Sequence, residues 1–210
     1  MKKAQILLAD DHTLVVAALR LLLQPEFDVV GTVYDGRALL KAAAKLEPDV
    51  VVMDIGMPLL NGLDAGEQLK ASHPAIKVIY LTQNQDPVYA AEAFRRGASG
   101  YLLKNSAGSE LTTAIHKALE GKLYVSPLIS REMLRRGCSL QELKPRELSP
   151  RKREVLQLLA EGKPMKEVAG ILHISPRTAE FHKYQIMEIL GLSSNGELVQ
   201  YAIKHGLLPP

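Results

Sequence analysis

Apolar positions in the first 120 residues fall into short runs that alternate with segments of helical period. Residues 4–9 (AQILLA) form such a run and stop at Asp10-Asp11. Leu14, Ala18, Leu21 and Leu22 then recur at helical spacing, which predicts a helix with that face toward a core. A second strand is expected over 27–34, and Asp35-Gly36 turns the chain into an Ala/Leu-rich helix over 37–46. Val50 to Met53 are apolar without interruption and end on Asp54, the pattern of a strand buried on both faces. Gly56, Met57-Pro58 and Asn61-Gly62 read as loop. Helices are expected over 63–72, 87–96 and 109–120, with strands over 76–81 and 99–103 that end at Thr82 and Lys104.

Five β–α units in succession predict an α/β fold, a doubly wound parallel sheet with right-handed crossovers and helices on both faces. In such a sheet the carboxyl ends of the strands share one edge, where ligands bind. Asp10, Asp11, Asp54, Thr82 and Lys104 would therefore meet in one cleft. Asp54 there can be a metal ligand, a nucleophile or a plain strand-end cap. Carboxylates brought together repel, and at neutral pH they need a cation or raised pKa values. Oxygen ligands suit Mg²⁺, and a carboxylate beside it can attack a phosphoryl group. Lys104 and Thr82 would then hold the phosphoryl oxygens by charge and by hydrogen bond.

Periodicity is lost over 122–147, apart from one or two helical turns expected at Ile129 to Arg136. It returns as short helices. Ser149-Pro150 and Ser175-Pro176 each pair an N-cap with a proline at the first helical position. Leu156, Leu159 and Ala160 are expected to face a core, as are Val168, Ala169 and Leu172. His173-Ile174-Ser175 is a tight turn between two helices, the geometry of a helix-turn-helix. An ordinary four-helix bundle fits the same pattern. The helix after the turn begins with Arg177, Thr178, Glu180, Phe181, His182, Lys183 and Tyr184, a set rich in groups that meet phosphates and base edges.

Charge sharpens this division. Residues 1–124 carry 13 Lys and Arg against 14 Asp and Glu, and residues 125–210 carry 13 against 9. The second part is the one expected to meet a polyanion. The single cysteine, Cys138, excludes an internal disulfide, fits a reducing compartment and is read as inert. The apolar run after Met1-Lys2-Lys3 is too short for a signal peptide, and no run approaches a membrane span. A cytoplasmic protein is expected.

The Asp10-Asp11 pair, MDIGMPLLNG, the Thr82 strand end and GASGYLLK resemble the receiver domain of two-component response regulators. Residues 147–208, from LSPRKREVLQLLAEGK to YAIKHGLL, look like the LuxR-type helix-turn-helix. Together they resemble regulators of the NarL/FixJ type. The resemblance implies a flavodoxin-like five-stranded receiver (order 2-1-3-4-5) over 4–121, a linker over 122–143, and a four-helix DNA-binding domain over 144–210. It implies phosphorylation of Asp54 by a sensor histidine kinase and Mg²⁺ held by Asp10, Asp11, Asp54 and the Gly56 carbonyl. Thr82, Lys104 and the switch aromatic Tyr101 would sense the phosphoryl group. DNA contacts map to Lys166, Arg177, Thr178, Glu180, Phe181, His182, Lys183 and Tyr184. Leu198, Val199 and Ala202 would lie on a dimerisation helix. Partners implied are the kinase, double-stranded DNA, a second copy when phosphorylated, and RNA polymerase, with no membrane. The role is that of a transcription regulator rather than an enzyme, with the receiver masking the DNA-binding domain until phosphate arrives. Gln83 stands where the family usually has a small residue, and Glu180 where many members have Lys. Two rivals remain: a phosphohydrolase, against which Gly56 stands where a general-acid Asp is wanted, and an unphosphorylated interaction module.

Overall fold

The uninterrupted apolar run Val50–Asp54 becomes the middle strand (β3) of a parallel sheet, buried along its whole length. The computed structural model describes residues 3–135, 148–205 and 207–208. Cys138 and the boundary expected at 143/144 lie outside the described residues. Around β3 the chain runs β1 (Gln5–Ala9), α1 (Thr13–Leu23), β2 (Asp28–Val33), α2 (Gly36–Leu46), then α3 (Gly62–Ser72), β4 (Lys77–Thr82), α4 (Pro87–Arg95), β5 (Gly100–Leu103) and α5 (Ala107–Leu119). A turn of 3-10 helix, Lys104–Ser106, leads into α5. β6 (Tyr124–Val125) and α6 (Pro127–Arg135) follow.

The sheet order is β2-β1-β3-β4-β5-β6, with every pair parallel. Side-chain alternation sorts the core into two layers. Leu7, Val51, Met53, Val78 and Tyr80 pack with α2, α3 and α4 on one face. Ile6, Leu8, Val50, Val52 and Ile79 pack with α1 and α5 on the other.

Two expectations are corrected. The sheet has six strands, because Tyr124–Val125 pairs beside Gly100–Tyr101. A two-residue strand is too short to show a period, and its sequence looks like linker. In α1 the buried residues are Val16, Leu19 and Leu23, while Leu14 and Leu21 are 85% and 72% exposed. That helix is apolar nearly all round, and spacing alone does not choose its inner face.

The second unit is helical: α7 (Pro150–Ala160), α8 (Met165–Leu172), α9 (Pro176–Leu190) and α10 (Asn195–Lys204). Val155, Leu156, Leu158, Val168, Leu172, Ala179, Ile186 and Leu198 form its core. Ser175 caps α9 by accepting from the Thr178 N–H at 3.1 Å. Ser149 makes no side-chain cap bond; Lys152 stands where a capping box has the reciprocating Glu. His173, at φ 53°, closes α8 in the left-handed region and sets up the turn into α9.

Gly62 starts α3 directly beneath β3, and a Cβ there would overlap the Asp54 carbonyl oxygen. Gly62→Ala should therefore destabilise the receiver by about 2–3 kcal/mol, read as a lower urea midpoint. An unchanged midpoint would show that the loop gives way freely.

Candidate functional site

The carboxyl edge of the sheet brings the expected acidic pocket together. Asp10 follows β1 and Asp54 ends β3, and both side chains are buried. Lys104, at the end of β5, reaches between them, its Nζ 2.8 Å from Asp10 Oδ2 and 2.8 Å from Asp54 Oδ2. Burial pushes the Asp54 carboxyl above its ordinary value, aided by the Asp10 charge; Lys104, and more weakly the nearby Gly56 backbone, pull against that rise. For Lys104 burial acts downward, and its bonds to Asp10 and Asp54 more than reverse it, so the ammonium is held charged. Thr82 is buried at the end of β4, its hydroxyl accepting from the Asn84 N–H at 3.0 Å. Tyr101 is fully buried, its hydroxyl donating to the Asn84 carbonyl at 3.4 Å. Burial drives that phenol far up, out of titration range, against a hydrogen bond with Thr82. Gln83 is exposed beside them.

Asp10, Asp11, Asp54 and His12 offer ligand atoms that all lie within 4.8 Å of one another. The oxygen-rich set, three carboxylates with one ammonium among them, fits a hard divalent cation. His12 escaped the sequence reading. Its Nδ1 lies 3.0 Å from Asp10 Oδ1 and 2.9 Å from Asp11 Oδ1. Adjacency to the acid pair was the available signal.

In the helical unit, Arg177, Glu180, Phe181 and Tyr184 form one exposed stripe on α9, at positions i, i+3, i+4 and i+7. Phe181 and Tyr184 are 57% and 69% exposed, large rings left in solvent although Phe181 lies tilted against His182 at 6.3 Å. Thr178 and Lys166 are exposed nearby. His182 and Lys183 point elsewhere. His182 is half-buried, and burial with the charges of Arg151 and Lys152 keeps its imidazole below the usual range. Lys183 lines a cleft of about 430 Å³ with Lys163, Met165, Asn195 and Val199. Leu198 and Ala202 are buried in the domain's own core, while on α10 Val199 is half-buried and Gln200 and Ile203 are exposed.

Both units match known families. Residues 6–116 match the response regulator receiver domain, and residues 146–202 match the bacterial regulatory proteins of the luxR family. The oxygen regulatory protein NreC of Staphylococcus carnosus (strain TM300) is 35% identical, over 97% of this chain and 99% of its own. The chain is a response regulator with a LuxR-type DNA-binding domain. NreC of Staphylococcus aureus (strain JH9) is 36% identical over the same shares. Among solved structures, the Salmonella typhimurium response regulator RcsB is 28% identical with a TM-score of 0.66, over 96% of this chain and 97% of that one. A structure of two RcsB dimers bound to two parallel DNAs is 29% identical with a TM-score of 0.59, over 95% and 98%.

In this response regulator the receiver covers α7, not α9. Arg153 is buried, with its Nε 2.8 Å from Asp64 Oδ1 and its Nη2 3.1 Å from Glu67 Oε2. Arg96 reaches the same Asp64 oxygen at 2.7 Å. Glu154 accepts from Arg37 at 2.7 Å and from Gln68 at 3.2 Å. Tyr89 donates to the Lys204 carbonyl at 3.2 Å, at the end of α10. The docked receiver therefore covers α7, while the stripe of Arg177, Glu180, Phe181 and Tyr184 on α9 stays exposed. Sequence reading missed Asp64, Arg153, Glu154 and Gln157 because charged and amide side chains on a helix read as a solvated face.

For Asp64, burial acts upward, but the Arg153 hydrogen bond and the charges of Arg153 and Arg96 outweigh it and hold the carboxyl below its ordinary value. A carboxyl lowered in this way stabilises the docked form above its free pKa of about 3.9 and loses that contribution as pH falls through the lowered value. Small-angle scattering should thus show one compact form from neutral pH down to about 5, with opening only below the ordinary Asp range. Arg153→Ala should weaken docking by about 2–3 kcal/mol and open the particle at neutral pH. Opening of wild type near pH 6 would implicate a histidine instead.

Proposed function

We propose that Asp54 accepts a phosphoryl group from the phosphohistidine of a sensor kinase and that the modified chain regulates transcription as a DNA-bound dimer. The observation that carries this reading is the placement of Lys104, 2.8 Å from both Asp10 and Asp54, inside a cluster of cation ligands. An Asp54 carboxylate oxygen attacks phosphorus, the P–N bond to the donor imidazole breaks, and the nitrogen keeps the electron pair. Asp10, Asp11, Asp54 and the Gly56 carbonyl are the residues that would hold Mg²⁺, which supplies positive charge for the phosphoryl oxygens. Lys104 exchanges a carboxylate for a phosphoryl oxygen, and the Thr82 hydroxyl can turn its donor toward the same group. Tyr101, next to Thr82, registers that turn. The result is a regulatory mark rather than a turnover cycle.

The α9 stripe is read as the face that enters the major groove, with Arg177 and Lys166 toward phosphates and Glu180, Phe181 and Tyr184 toward bases. Lys183 and His182 serve from its flanks. Among the described residues no ion pair joins Arg177 to Glu180, which leaves the carboxylate for a base donor such as cytosine N4. A second copy would join through α10, with RNA polymerase as the downstream contact. No described helix is long and apolar enough to cross a membrane, and a cytoplasmic location is part of the same reading.

Incubation with acetyl phosphate and Mg²⁺, read by intact mass, should add one phosphate to wild type and none to Asp54→Asn. Equal labelling of the variant would move the acceptor elsewhere. Lys104→Ala should still label but fail to couple labelling to dimerisation. Selection from randomised duplexes should return two half-sites centred about 10 base pairs apart or a multiple of it. Glu180→Ala should relax one base position in each half-site, losing about 1–3 kcal/mol of discrimination. Identical logos for the two proteins would rule out base reading by Glu180.

A further inference from the structure

The loop from β3 to α3, residues 55–61, meets the acceptor pocket at one end and the DNA-binding domain at the other. At the pocket end the loop starts directly from Asp54, and the Ile55 carbonyl beside Gly56 is fixed by accepting from the Gly62 N–H at 2.8 Å. Within the loop the Leu60 N–H donates to the Pro58 carbonyl at 2.8 Å, and that turn sets Leu59 at φ 64°. A branched side chain is strained there unless its surroundings hold it. Three backbone groups of residues 57–61 find their partners on α7 and its C-cap residue, Glu161. Gln157 Nε2 donates to the Met57 carbonyl at 3.0 Å, and Gln157 Oε1 accepts from the Asn61 N–H at 2.8 Å. Glu161 Oε1 accepts from the Leu59 N–H at 2.9 Å. Gln157 is fully buried, and the Leu59 side chain packs against the core of the DNA-binding domain. One buried amide thus brackets the loop. Without it, buried backbone groups would be left unpaired and the loop would rearrange.

We propose that Gln157, although it belongs to the DNA-binding domain, is a positioning residue for the Asp54 site: it fixes the loop that carries Gly56, and so sets the pocket's affinity for Mg²⁺. The inference rests on reading the Asp54 cluster as a cation and phosphoryl site. Linkage makes the effect mutual. Whatever Mg²⁺ gains from a held loop, the docked arrangement gains from Mg²⁺.

The test uses full-length wild type, Gln157→Ala and Gln157→Met, the last keeping volume while removing both polar ends. Mg²⁺ affinity of the unphosphorylated proteins is measured by titration calorimetry, and backbone exposure by hydrogen exchange at the Leu59 and Asn61 amides. Both variants should exchange faster at those amides and raise the Mg²⁺ Kd by roughly threefold or more. Mg²⁺ should slow exchange there in wild type and much less in the variants. Faster exchange with an unchanged Kd would reduce Gln157 to a docking contact and overturn the proposal. Unchanged exchange, or wild type that binds no Mg²⁺, would overturn it too. Should Gln157→Ala lose its fold by circular dichroism, Gln157→Met decides. Acetyl phosphate labelling of the same samples keeps the two readings apart: if nothing labels while the Mg²⁺ pattern holds, the acceptor assignment fails and the positioning role stands.

Discussion

Two buried carboxylates held apart by one ammonium set the terms for this molecule. Asp10 and Asp54 sit on neighbouring strands at the sheet's carboxyl edge, and Lys104 closes the gap between them from β5. The parallel topology enforces the meeting, because it lines up the ends of strands far apart in sequence. Removal from water makes each charge depend on the others. Lys104 is therefore bound to the charge state of both carboxylates, and it follows directly on β5, the strand that carries Tyr101. Ser126 extends the same network outward: its hydroxyl accepts from the Leu103 N–H at 3.2 Å and donates to Glu110 at 2.6 Å. The short sixth strand is thus tied to the residue next to Lys104.

A second charge cluster sits further along the same loop and helix. Asp64, in the first turn of α3, is shared by Arg96 from the receiver and Arg153 from the DNA-binding domain. Asn61 caps α3 and donates to Asp64 at 2.8 Å, so the carboxylate is fixed from within the receiver before α7 arrives. Arg153 therefore meets a preorganised acceptor, which favours docking because little ordering is left to be done. The path from Asp54 to the other domain is a single stretch of chain, residues 54–64.

What the sequence shows well is whatever the sheet repeats. Strand runs ending on Asp10, Asp54, Thr82 and Lys104 were legible because a doubly buried strand has to be apolar and its end has to be polar. The helix starts were legible where Ser or Asp meets Pro, as at Ser175. Three things were not. The inner face of α1 was hidden by apolar residues on all sides. β6 was too short to carry a period. His12 was masked by two acids whose role was already plain. The Leu198 and Ala202 positions mark a related limit: burial in a domain core and burial in a dimer produce the same apolar pattern.

Helix α7 shows why the relation between the domains was the least legible part. Residues 153–158 are all buried, although they include Arg153, Glu154 and Gln157. Val155, Leu156 and Leu158 face the helical core, and the polar residues between them face the receiver. A sequence period reports only the apolar half of such a helix, since polar groups that pair across an interface look the same as polar groups in water. The receiver grips the helix whose polar face it satisfies and leaves the α9 stripe in solvent. Docking uses up the polar face of α7 and leaves the exposed side chains of α9 as they are.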